Sequence, residues 1–369
     1  MQESLGKGRV YEVRRGALSR GRVVEEALAP AGEGELLMAI DCFALTANNV
    51  TYAVAGDAVG YWRFFLLLAA DRQTWGRIPV WGFANVLDSG IPGIAPGERY
   101  YGYYPMGSHL RLRPGQVSER GFVDGSAHRA ELPSVYNRYQ RCAGDPAYRP
   151  GLEAMQLLFR PLFTTGFFLD DFLADEDFFG AELVLLSSAS SKTAFGLAWL
   201  LQRRRAQRRR VIGLTSPGNM AFVRSLGCYD EVLSYGALDS LPRHRAVFVD
   251  MAGNATLRRR VHWHFGDALR YSCSVGATHW QEAQPAGNAS LPGPQPMWFF
   301  APARAEKRQA DWGAADLARR SAAAWEPFVA DAARLITVRR ERGARALSAR
   351  YRALLENRAA PADGYVLSL

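Results

Sequence analysis

A run of hydroxyl side chains with one lysine fills residues 188–194, which read Ser-Ala-Ser-Ser-Lys-Thr-Ala. Apolar stretches lie before the run, at 183–187, and after a helical interval, at 211–215. This order predicts strand, tight turn, helix and strand, the unit in which a helix N-terminus binds the pyrophosphate of a dinucleotide. Glycine usually makes the turn and is missing here, so a serine-rich helix cap that binds no ligand is the alternative interpretation.

The turn itself supplies the groups that could bind phosphate. Small side chains at the usual glycine positions let the backbone approach a phosphate closely. Hydroxyl groups could donate hydrogen bonds to its oxygens, and a lysine adds positive charge at the helix N-terminus. The residues concerned are Ser188, Ala189, Ser190, Ser191, Lys192 and Thr193.

The same residues must be compared with an ATP-binding P-loop, because Ser191-Lys192-Thr193 resembles the end of that motif. The P-loop pattern requires glycine at positions 186 and 191. The chain has Leu186 and Ser191 there, so we exclude an ATPase.

The loop after the second apolar stretch indicates which dinucleotide would bind. A fold that binds NAD carries a carboxylate about 20 residues past the turn, where it holds the ribose 2′-hydroxyl. The chain instead reads Thr-Ser-Pro-Gly-Asn at 215–219, with no acidic residue nearby. A neutral, hydroxyl-rich loop with Lys192 in range fits a 2′-phosphate, which predicts NADPH. The loop residues assigned to this phosphate are Thr215, Ser216, Asn219 and Arg224.

The elements around the turn predict two domains, since one domain rarely reaches the 369 residues of this chain. Strands and helices alternate from 182 to 276, which predicts an α/β domain with a doubly wound parallel sheet. The first 140 residues contain short alternating runs broken by glycine and proline, typical of a β-rich domain.

Composition restricts the possible cell compartments and the possible classes of partner. The longest apolar run, 64–70, is far shorter than the roughly 20 residues that span a bilayer. No apolar signal core follows Met1, so we expect a cytoplasmic protein without a membrane partner. The four cysteines form no C-x-x-C pair, which argues against a disulfide framework or a zinc ribbon.

The charge raises the question of nucleic acid. The net charge is +9, and much of it lies in two arginine clusters, at 203–210 and 258–260. Such clusters can bind nucleic acid or cover solvated helix ends. We favour helix ends, because the first cluster follows an apolar helix and arginine suits the negative end of the helix dipole.

Several stretches, in the same order, resemble the medium-chain dehydrogenase/reductase superfamily. The likeness is to its zinc-free quinone- and enoyl-reductase branch, and most closely to the DUF2855 family, whose function is uncharacterised. Residues 46–56 are similar to the active-site segment of the superfamily, and 96–102 to its K-x-G-D-R-V-x-G turn. In the second domain the matching stretches are 222–235, 247–253 and 274–277.

The resemblance implies a domain organisation. It gives a GroES-like catalytic domain at 1–140, a Rossmann domain that binds NADP(H) at 141–305, and a C-terminal segment at 306–369 that returns to the catalytic domain. Relatives often form dimers through sheet edges, which here implies a homodimer through a strand at 297–300.

The resemblance also implies an activity. Zinc-free relatives reduce an activated C=C bond, such as an enone or enoyl thioester, or a quinone, with NADPH as the hydride donor. Tyr52 lies in the active-site segment and is the candidate proton donor, while Asn48 or Asn49 could orient the substrate. Tyr61 and Trp62 either line an apolar substrate slot or simply pack in the core. Further cofactor contacts are assigned to Thr165, Tyr235, Gly253, Val275, Gly276, Phe299 and Phe300.

The departures from the superfamily pattern concern the metal and the turn. Ala47 and Trp81-Gly82 stand approximately where zinc-dependent members have ligands, and the histidines are not spaced to replace them. We therefore predict no metal. The missing glycines leave two other functions open, a nucleotide-binding sensor or scaffold without turnover and non-redox chemistry on the same fold.

Overall fold

The computed structural model describes residues 5–67, 69–204, 208–275 and 291–369. The chain divides into two compact units. Unit 1 contains Met1–Leu158, Val338–Ala359 and Gly364–Leu369, and unit 2 contains Phe159–Thr337 and Ala360–Asp363. A unit defined by contacts need not end where a family domain ends, so the domain limits 1–140, 141–305 and 306–369 stay a prediction.

The described residues form strands and helices in the following order. The strands are β1 (Lys7–Arg14), β2 (Ala17–Ala27), β3 (Leu36–Leu45), β4 (Trp75–Gly76), β5 (Pro79–Ser89), β6 (Arg99–Pro105), β7 (His109–Leu112), β8 (Pro114–Ser118), β9 (Gly121–Asp124), β10 (Arg138–Arg141), β11 (Leu183–Leu186), β12 (Arg210–Thr215), β13 (Glu231–Ser234), β14 (Ala246–Asp250), β15 (Leu269–Ser274), β16 (Met297–Trp298), β17 (Thr337–Arg342) and β18 (Asp363–Ser368). The α-helices are α1 (Ala47–Val54), α2 (Glu153–Asp175), α3 (Lys192–Arg203), α4 (Met220–Ser225), α5 (Ala255–Phe265), α6 (Ala301–Trp312), α7 (Ala314–Leu335) and α8 (Ala344–Leu355). No helix within these described ranges is both long enough and apolar enough to cross a bilayer.

Unit 1 is built on two sheets. The smaller sheet has the order β2-β1-β4, and the larger has the order β17-β18-β3-β5-β6-β10-β9-β8 with β7 beside β3. The pairs along β3, β5 and β6 are antiparallel. Tyrosines of β6 fill the core, since Tyr100, Tyr103 and Tyr104 are fully buried.

Unit 2 contains a six-stranded parallel sheet with the order β13-β12-β11-β14-β15-β16. Counted from β11, this is the order 3-2-1-4-5-6 of a Rossmann fold. Its central strands are buried and apolar, LVLL in β11 and AVFV before the final Asp250 in β14, as expected for strands of a parallel sheet covered on both faces. The architecture confirms the predicted fold class, an α/β protein with a β-rich part and a doubly wound parallel sheet.

Buried ion pairs fix α6 against the end of α2. The guanidinium of Arg304 contacts Asp171 at 2.6 Å and Asp175 at 2.8 Å, and Arg308 contacts the same two carboxylates. Hydrogen bonds from Arg308 and Arg304 lower the pKa of Asp175 to about 2. Asp175 therefore stays ionised near neutral pH, and its pairs with Arg304 and Arg308 hold α6 in position.

Two glycines allow α2 to approach α3, the helix that follows the predicted phosphate turn. A methyl group at Gly166 would lie 2.9 Å from the backbone nitrogen of Leu197, and one at Gly196 would lie 3.3 Å from the Phe163 ring. Aromatic rings pack beside this contact. Phe163 of α2 stacks on Phe328 of α7 with ring centroids 4.5 Å apart. The position of α3 therefore depends on the absence of a side chain at Gly166.

We predict that Gly166→Ala destabilises the protein by about 1–3 kcal/mol, because overpacking against a backbone outweighs the helix propensity of alanine, which is about 1 kcal/mol better than that of glycine. Thermal or urea unfolding measures the change. The matched control is Gly236→Ala, whose added methyl would meet only the Ser234 hydroxyl at 3.7 Å. Equal stability of the two variants would contradict the role given to Gly166.

Candidate functional site

The turn between β11 and α3 reverses the chain at Ser188. Its φ of +48° lies in the left-handed region that glycine normally occupies. The Ser188 carbonyl accepts the Ser191 N–H at 2.8 Å, and its own N–H donates to the Tyr235 hydroxyl at 3.2 Å. The tight turn is thus present, and a serine makes it where a glycine is usual.

The rest of the turn is held from several sides. Ala189 is fully buried, donates its N–H to the Leu214 carbonyl at 3.0 Å and accepts the Tyr229 hydroxyl at 2.9 Å. The Ser191 side chain caps α3 by accepting the Ala194 N–H at 3.2 Å. The turn is consequently rigid before any ligand arrives.

The backbone amides of Lys192 and Thr193 begin α3. No acceptor in the described part of the chain receives a hydrogen bond from the backbone N–H of Lys192 or Thr193. Unpaired amides at the N-terminus of a twelve-residue helix carry partial positive charge. Together with the buried small residue Ala189, they form a place that fits a phosphate group.

Lys192 is the first residue of α3, and its ammonium is enclosed. Nζ donates to the Asp363 carbonyl at 3.1 Å and lies 5.8 Å from the Phe159 ring centroid. Although the residue as a whole is partly exposed, burial of the ammonium lowers its pKa to about 8. Lys192 therefore gains or loses its charge close to neutral pH.

The loop after β12 is connected to the turn. Asn219 donates from Nδ2 to the Ser190 hydroxyl at 3.1 Å. Thr215 is buried at the end of β12, and Ser216 is partly exposed beside it. Arg224 in α4 is exposed and has no carboxylate partner among the described residues. The structure brings Asn219 and Ser190 together, and the Arg224 guanidinium on α4 is exposed to a ligand.

Asp250, at the end of β14, organises the neighbouring loop and was not among the predicted site residues. Its Oδ1 accepts the Ser187 hydroxyl at 2.8 Å and the Gly253 N–H at 3.0 Å. Its Oδ2 accepts from Arg258 Nε at 3.1 Å. Gly253 has φ +68°, so the loop needs glycine there. The sequence signal that could have identified Asp250 is its position at the end of an apolar strand, eight residues before Arg258.

The remaining cofactor candidates lie along the same region of unit 2. Val275 donates its N–H to the Asp250 carbonyl at 2.9 Å, and Phe299 donates to the Ser274 carbonyl at 3.0 Å. Phe299 is buried, and Phe300 precedes α6. The Thr165 hydroxyl donates within α2, to the Pro161 carbonyl at 3.2 Å. Gly276 lies outside the described residues.

In unit 1, α1 carries the three polar candidates. Tyr52 is only 5% exposed, and its hydroxyl accepts from Trp81 Nε1 at 3.3 Å and also interacts with the Asn48 side chain. Burial raises the pKa of the Tyr52 phenol, so it keeps its proton at neutral pH. The Asn49 amide accepts the Thr46 N–H at 2.7 Å and donates to the Pro79 carbonyl at 2.8 Å. These bonds occupy Asn49 within unit 1 and leave Asn48 partly exposed.

Tyr52 belongs to a cluster of phenols. Its ring lies 4.6 Å from the Tyr61 ring and 5.7 Å from the Tyr103 ring. The hydroxyls of Tyr61 and Tyr136 are 3.2 Å apart, and Tyr103 beside them is fully buried. Trp62 is buried too, and its indole lies over Gly56 and Gly76 so closely that no side chain fits there. This packing favours the core alternative for Trp62.

One group of described residues has metal-ligand geometry. Ligand atoms of Asp41, Cys42 and Glu153 lie within 4.8 Å of one another. The Arg99 guanidinium, however, contacts Asp41 at 2.8 Å and Glu153 at 2.6 Å. Burial raises the pKa of the Cys42 thiol to about 12, which makes it a poor ligand. Arg99 already supplies the cation that these carboxylates need.

We predict that Ser188→Gly preserves or raises stability, whereas Ser188→Val lowers it by about 1–2 kcal/mol, because only glycine adopts a left-handed φ without strain. Unfolding of both variants by heat or denaturant measures the difference. Ser190 has no positive φ, so the same two substitutions at Ser190 serve as the control and should not favour glycine. A valine at 188 that is as stable as glycine would show that the turn is not strained.

The fold is shared with solved structures at low sequence identity. CurA from Vibrio vulnificus in complex with NADPH is 12% identical, with 98% of each chain covered and a TM-score of 0.60. The CurK enoyl reductase is 13% identical, with 98% of this chain and 99% of that chain covered and a TM-score of 0.58. Mycobacterial Rv1454c complexed with NADPH is 15% identical, with 98% and 100% covered and a TM-score of 0.54.

Sequence families give a more direct assignment. Comparison with curated proteins found no match. Residues 43–360, most of the chain, match the family described as "Protein of unknown function (DUF2855)". The predicted resemblance is thereby confirmed, and the chain belongs to the DUF2855 family.

Proposed function

We propose that the protein is an NADPH-dependent oxidoreductase that reduces an activated C=C bond or a quinone without zinc. The amides of Lys192 and Thr193, which have no acceptor among the described residues, carry the proposal, because they lie at the turn of a Rossmann-ordered sheet where a pyrophosphate fits. Solved structures that share the fold include CurA and Rv1454c, each with NADPH. A small-molecule substrate follows from this class of function.

The chain offers a specific place for each part of the cofactor. The amides of Lys192 and Thr193 would hold the pyrophosphate, with Ser190 and Ser191 at the same turn. The loop after β12 has no carboxylate to repel a 2′-phosphate, and Arg224 is free to pair with it. Bound NADPH would supply a hydride.

Tyr52 is the proposed proton donor of unit 1. Burial keeps its phenol protonated, and Trp81 donates to the same oxygen, so the phenolic hydrogen is the one that we assign for transfer to a substrate oxygen or carbon. Asn48, which interacts with the Tyr52 hydroxyl, is the better candidate for orienting a substrate than Asn49. Proton transfer from a positioned phenol needs no metal.

Zinc independence rests on the donor atoms. A catalytic zinc needs three protein ligands and an open position. In the described part of the chain, the group closest to that requirement is the one neutralised by Arg99. Substrate polarisation is therefore assigned to hydrogen-bond donors.

Compartment and assembly complete the proposal. The four cysteines are free and buried, which suits the reducing cytoplasm where we place the protein. A homodimer through β16 stays a prediction.

In a second candidate function, the protein binds the nucleotide but does not transfer a hydride. Two observations favour it, namely the Ser188 amide that is already bound to Tyr235 and the burial of the Tyr52 hydroxyl. Such a protein would bind NADPH as a sensor or scaffold, or use the fold for non-redox chemistry.

A fluorescence titration followed by turnover assays separates these functions. We expect NADPH to bind with a Kd on the order of micromolar, and its absorbance to fall when an enone, an enoyl thioester or a quinone is added. Binding without oxidation by any acceptor would favour the sensor or scaffold. Absence of NADPH binding would contradict both the reductase and the NADPH sensor or scaffold.

If the protein turns over, Tyr52→Phe should lower kcat by roughly 10–100-fold, because the ring stays and only the proton donor is lost. The Kd for NADPH should not change. Tyr148→Phe is the matched control in unit 1, since the Tyr148 hydroxyl only donates to Glu153. An unchanged kcat in Tyr52→Phe would remove Tyr52 from the mechanism.

Lys192 predicts a pH dependence of cofactor affinity. A protonated ammonium attracts phosphate, so the affinity for NADPH should be highest below pH 8 and fall as the pH rises through the Lys192 pKa of about 8. Lys192→Gln should weaken binding at pH 7 by roughly tenfold, about 1.4 kcal/mol, and flatten the profile. Isothermal titration calorimetry across pH measures both effects.

The control for this experiment is Lys307→Gln. Lys307 lies on the exposed side of α6 and pairs with Asp311 at 2.7 Å, away from the turn. It should reproduce the wild-type profile. If Lys192→Gln keeps the full pH dependence, another group titrates and Lys192 does not contact the phosphate.

A further inference from the structure

A groove of about 650 Å³ opens on the surface of unit 2, and none of its lining residues was assigned to the cofactor. One wall consists of residues 239–243, which lead into β14. The other consists of Arg260, Trp263 and His264 on the second half of α5. Chemically different side chains therefore converge on one open cavity.

The groove lies at the amino edge of the parallel sheet. Residues 239–243 precede the start of β14, and Trp263 and His264 precede the start of β15. The turn at 188–194 and the loop at 215–219 follow the carboxyl ends of their strands, which is the edge where dinucleotides bind. The groove is consequently separate from the proposed NADPH site and does not depend on it.

Hydrogen bonds hold the two walls together. Arg260 contacts Asp239 at 2.8 Å and donates to the Tyr235 carbonyl at 3.0 Å. His264 donates from Nε2 to the Leu241 carbonyl at 2.8 Å. The groove thus has its shape before a ligand binds, which lowers the entropic cost of binding.

Two side chains in the groove remain available. Trp263 is 65% exposed and has no ring or cation partner among the described residues. Arg243 is exposed and makes no ion pair within that same part of the chain. An exposed indole offers a face for stacking, and a free guanidinium offers a planar fork for a carboxylate or phosphate.

The charge of the groove favours an anion. Arg260 and Asp239 neutralise each other, so Arg243 leaves an excess positive charge. A single exposed guanidinium binds an anion weakly by itself, and a single indole binds an apolar ring weakly. A ligand that satisfies both groups must combine a flat ring with a negative charge.

A nucleic acid fits the observations less well. The neighbouring run at 258–260 has lost two of its three charges to internal partners, since Arg258 pairs with Asp250 and Arg260 with Asp239. Binding to a phosphate backbone needs several unpaired cations in a row. The groove offers one guanidinium beside one indole, a match for a single ring and a single anionic group.

We propose that this groove binds a planar aromatic anion, an aromatic or heteroaromatic ring that carries a carboxylate or phosphate. The ring stacks on Trp263, and the anionic group pairs with Arg243.

Ligand-observed NMR and calorimetry with 2-naphthoate and 2-naphthyl phosphate test the proposal, with no nucleotide added, because NADP⁺ is itself a heteroaromatic phosphate that would compete for the groove. We expect at least one probe to bind. Trp263→Ala and Arg243→Gln should each weaken binding by roughly fivefold or more. Comparison of the two probes tells a carboxylate ligand from a phosphate ligand. 2-Naphthalenemethanol, without charge, and acetate or inorganic phosphate, without a ring, should bind more weakly than the probe they match.

Two controls keep the test specific. Trp298→Ala removes another exposed indole, on β16, and Arg259→Gln removes an exposed charge on α5 that does not line the groove. Neither should change probe binding. All four side chains are exposed, so the variants should fold, and thermal unfolding verifies this.

The proposal is overturned if neither probe binds the wild-type protein, or if Trp263→Ala and Arg243→Gln leave binding unchanged. It is also overturned if acetate, phosphate or the uncharged naphthalene binds as tightly as the matching probe. A single-stranded oligonucleotide that binds and is weakened equally by Arg243→Gln and Arg259→Gln would replace it with a nucleic-acid surface.

Discussion

The buried carboxylate of Asp250 holds the carboxyl edge of the parallel sheet in unit 2. It receives hydrogen bonds from Ser187 before the phosphate turn, from Gly253 in the next loop and from Arg258 on α5. Its backbone carbonyl also receives the Val275 N–H. A buried charge is tolerated only when it is paired and hydrogen-bonded, so these partners must all stay in place. Asp250 therefore couples the ends of β11, β14 and β15, the three strands beside which a dinucleotide would lie.

This coupling explains how the turn works without glycine. A glycine-rich turn relies on backbone freedom, whereas here side chains from neighbouring strands fix the backbone. Tyr235 binds the Ser188 amide, Tyr229 binds the Ala189 carbonyl and Asn219 binds the Ser190 hydroxyl. The left-handed φ of Ser188 costs energy that these three contacts can offset. Within the described part of the chain, none of these contacts uses the amides of Lys192 and Thr193, the kind of group that a phosphate needs.

The fold could be predicted from the sequence because its signals are local. The strand predicted at 211–215 is observed at Arg210–Thr215, since buried parallel strands read as apolar runs. The site was harder, because its contacts join distant residues. Lys192 meets the carbonyl of Asp363, 171 positions away, and Asp250 meets Ser187. Spacing also cannot tell a buried aromatic from one that lines a slot, which is why Trp62 stayed ambiguous.

The basic composition is a weak guide to partners, because most of its arginines are used inside the fold. In the cluster that begins at Arg203, Arg204 pairs with the buried Asp170 at 2.6 Å, Arg208 pairs with Asp230 and Arg210 pairs with Glu231. These pairs fix helix ends and strand starts, as the helix-end interpretation of the cluster implies. The net charge of +9 therefore overstates the charge available to a ligand. Only the cations that are not paired with a carboxylate of the protein can attract a charged partner. For unit 2 this favours small anions over an extended polyanion.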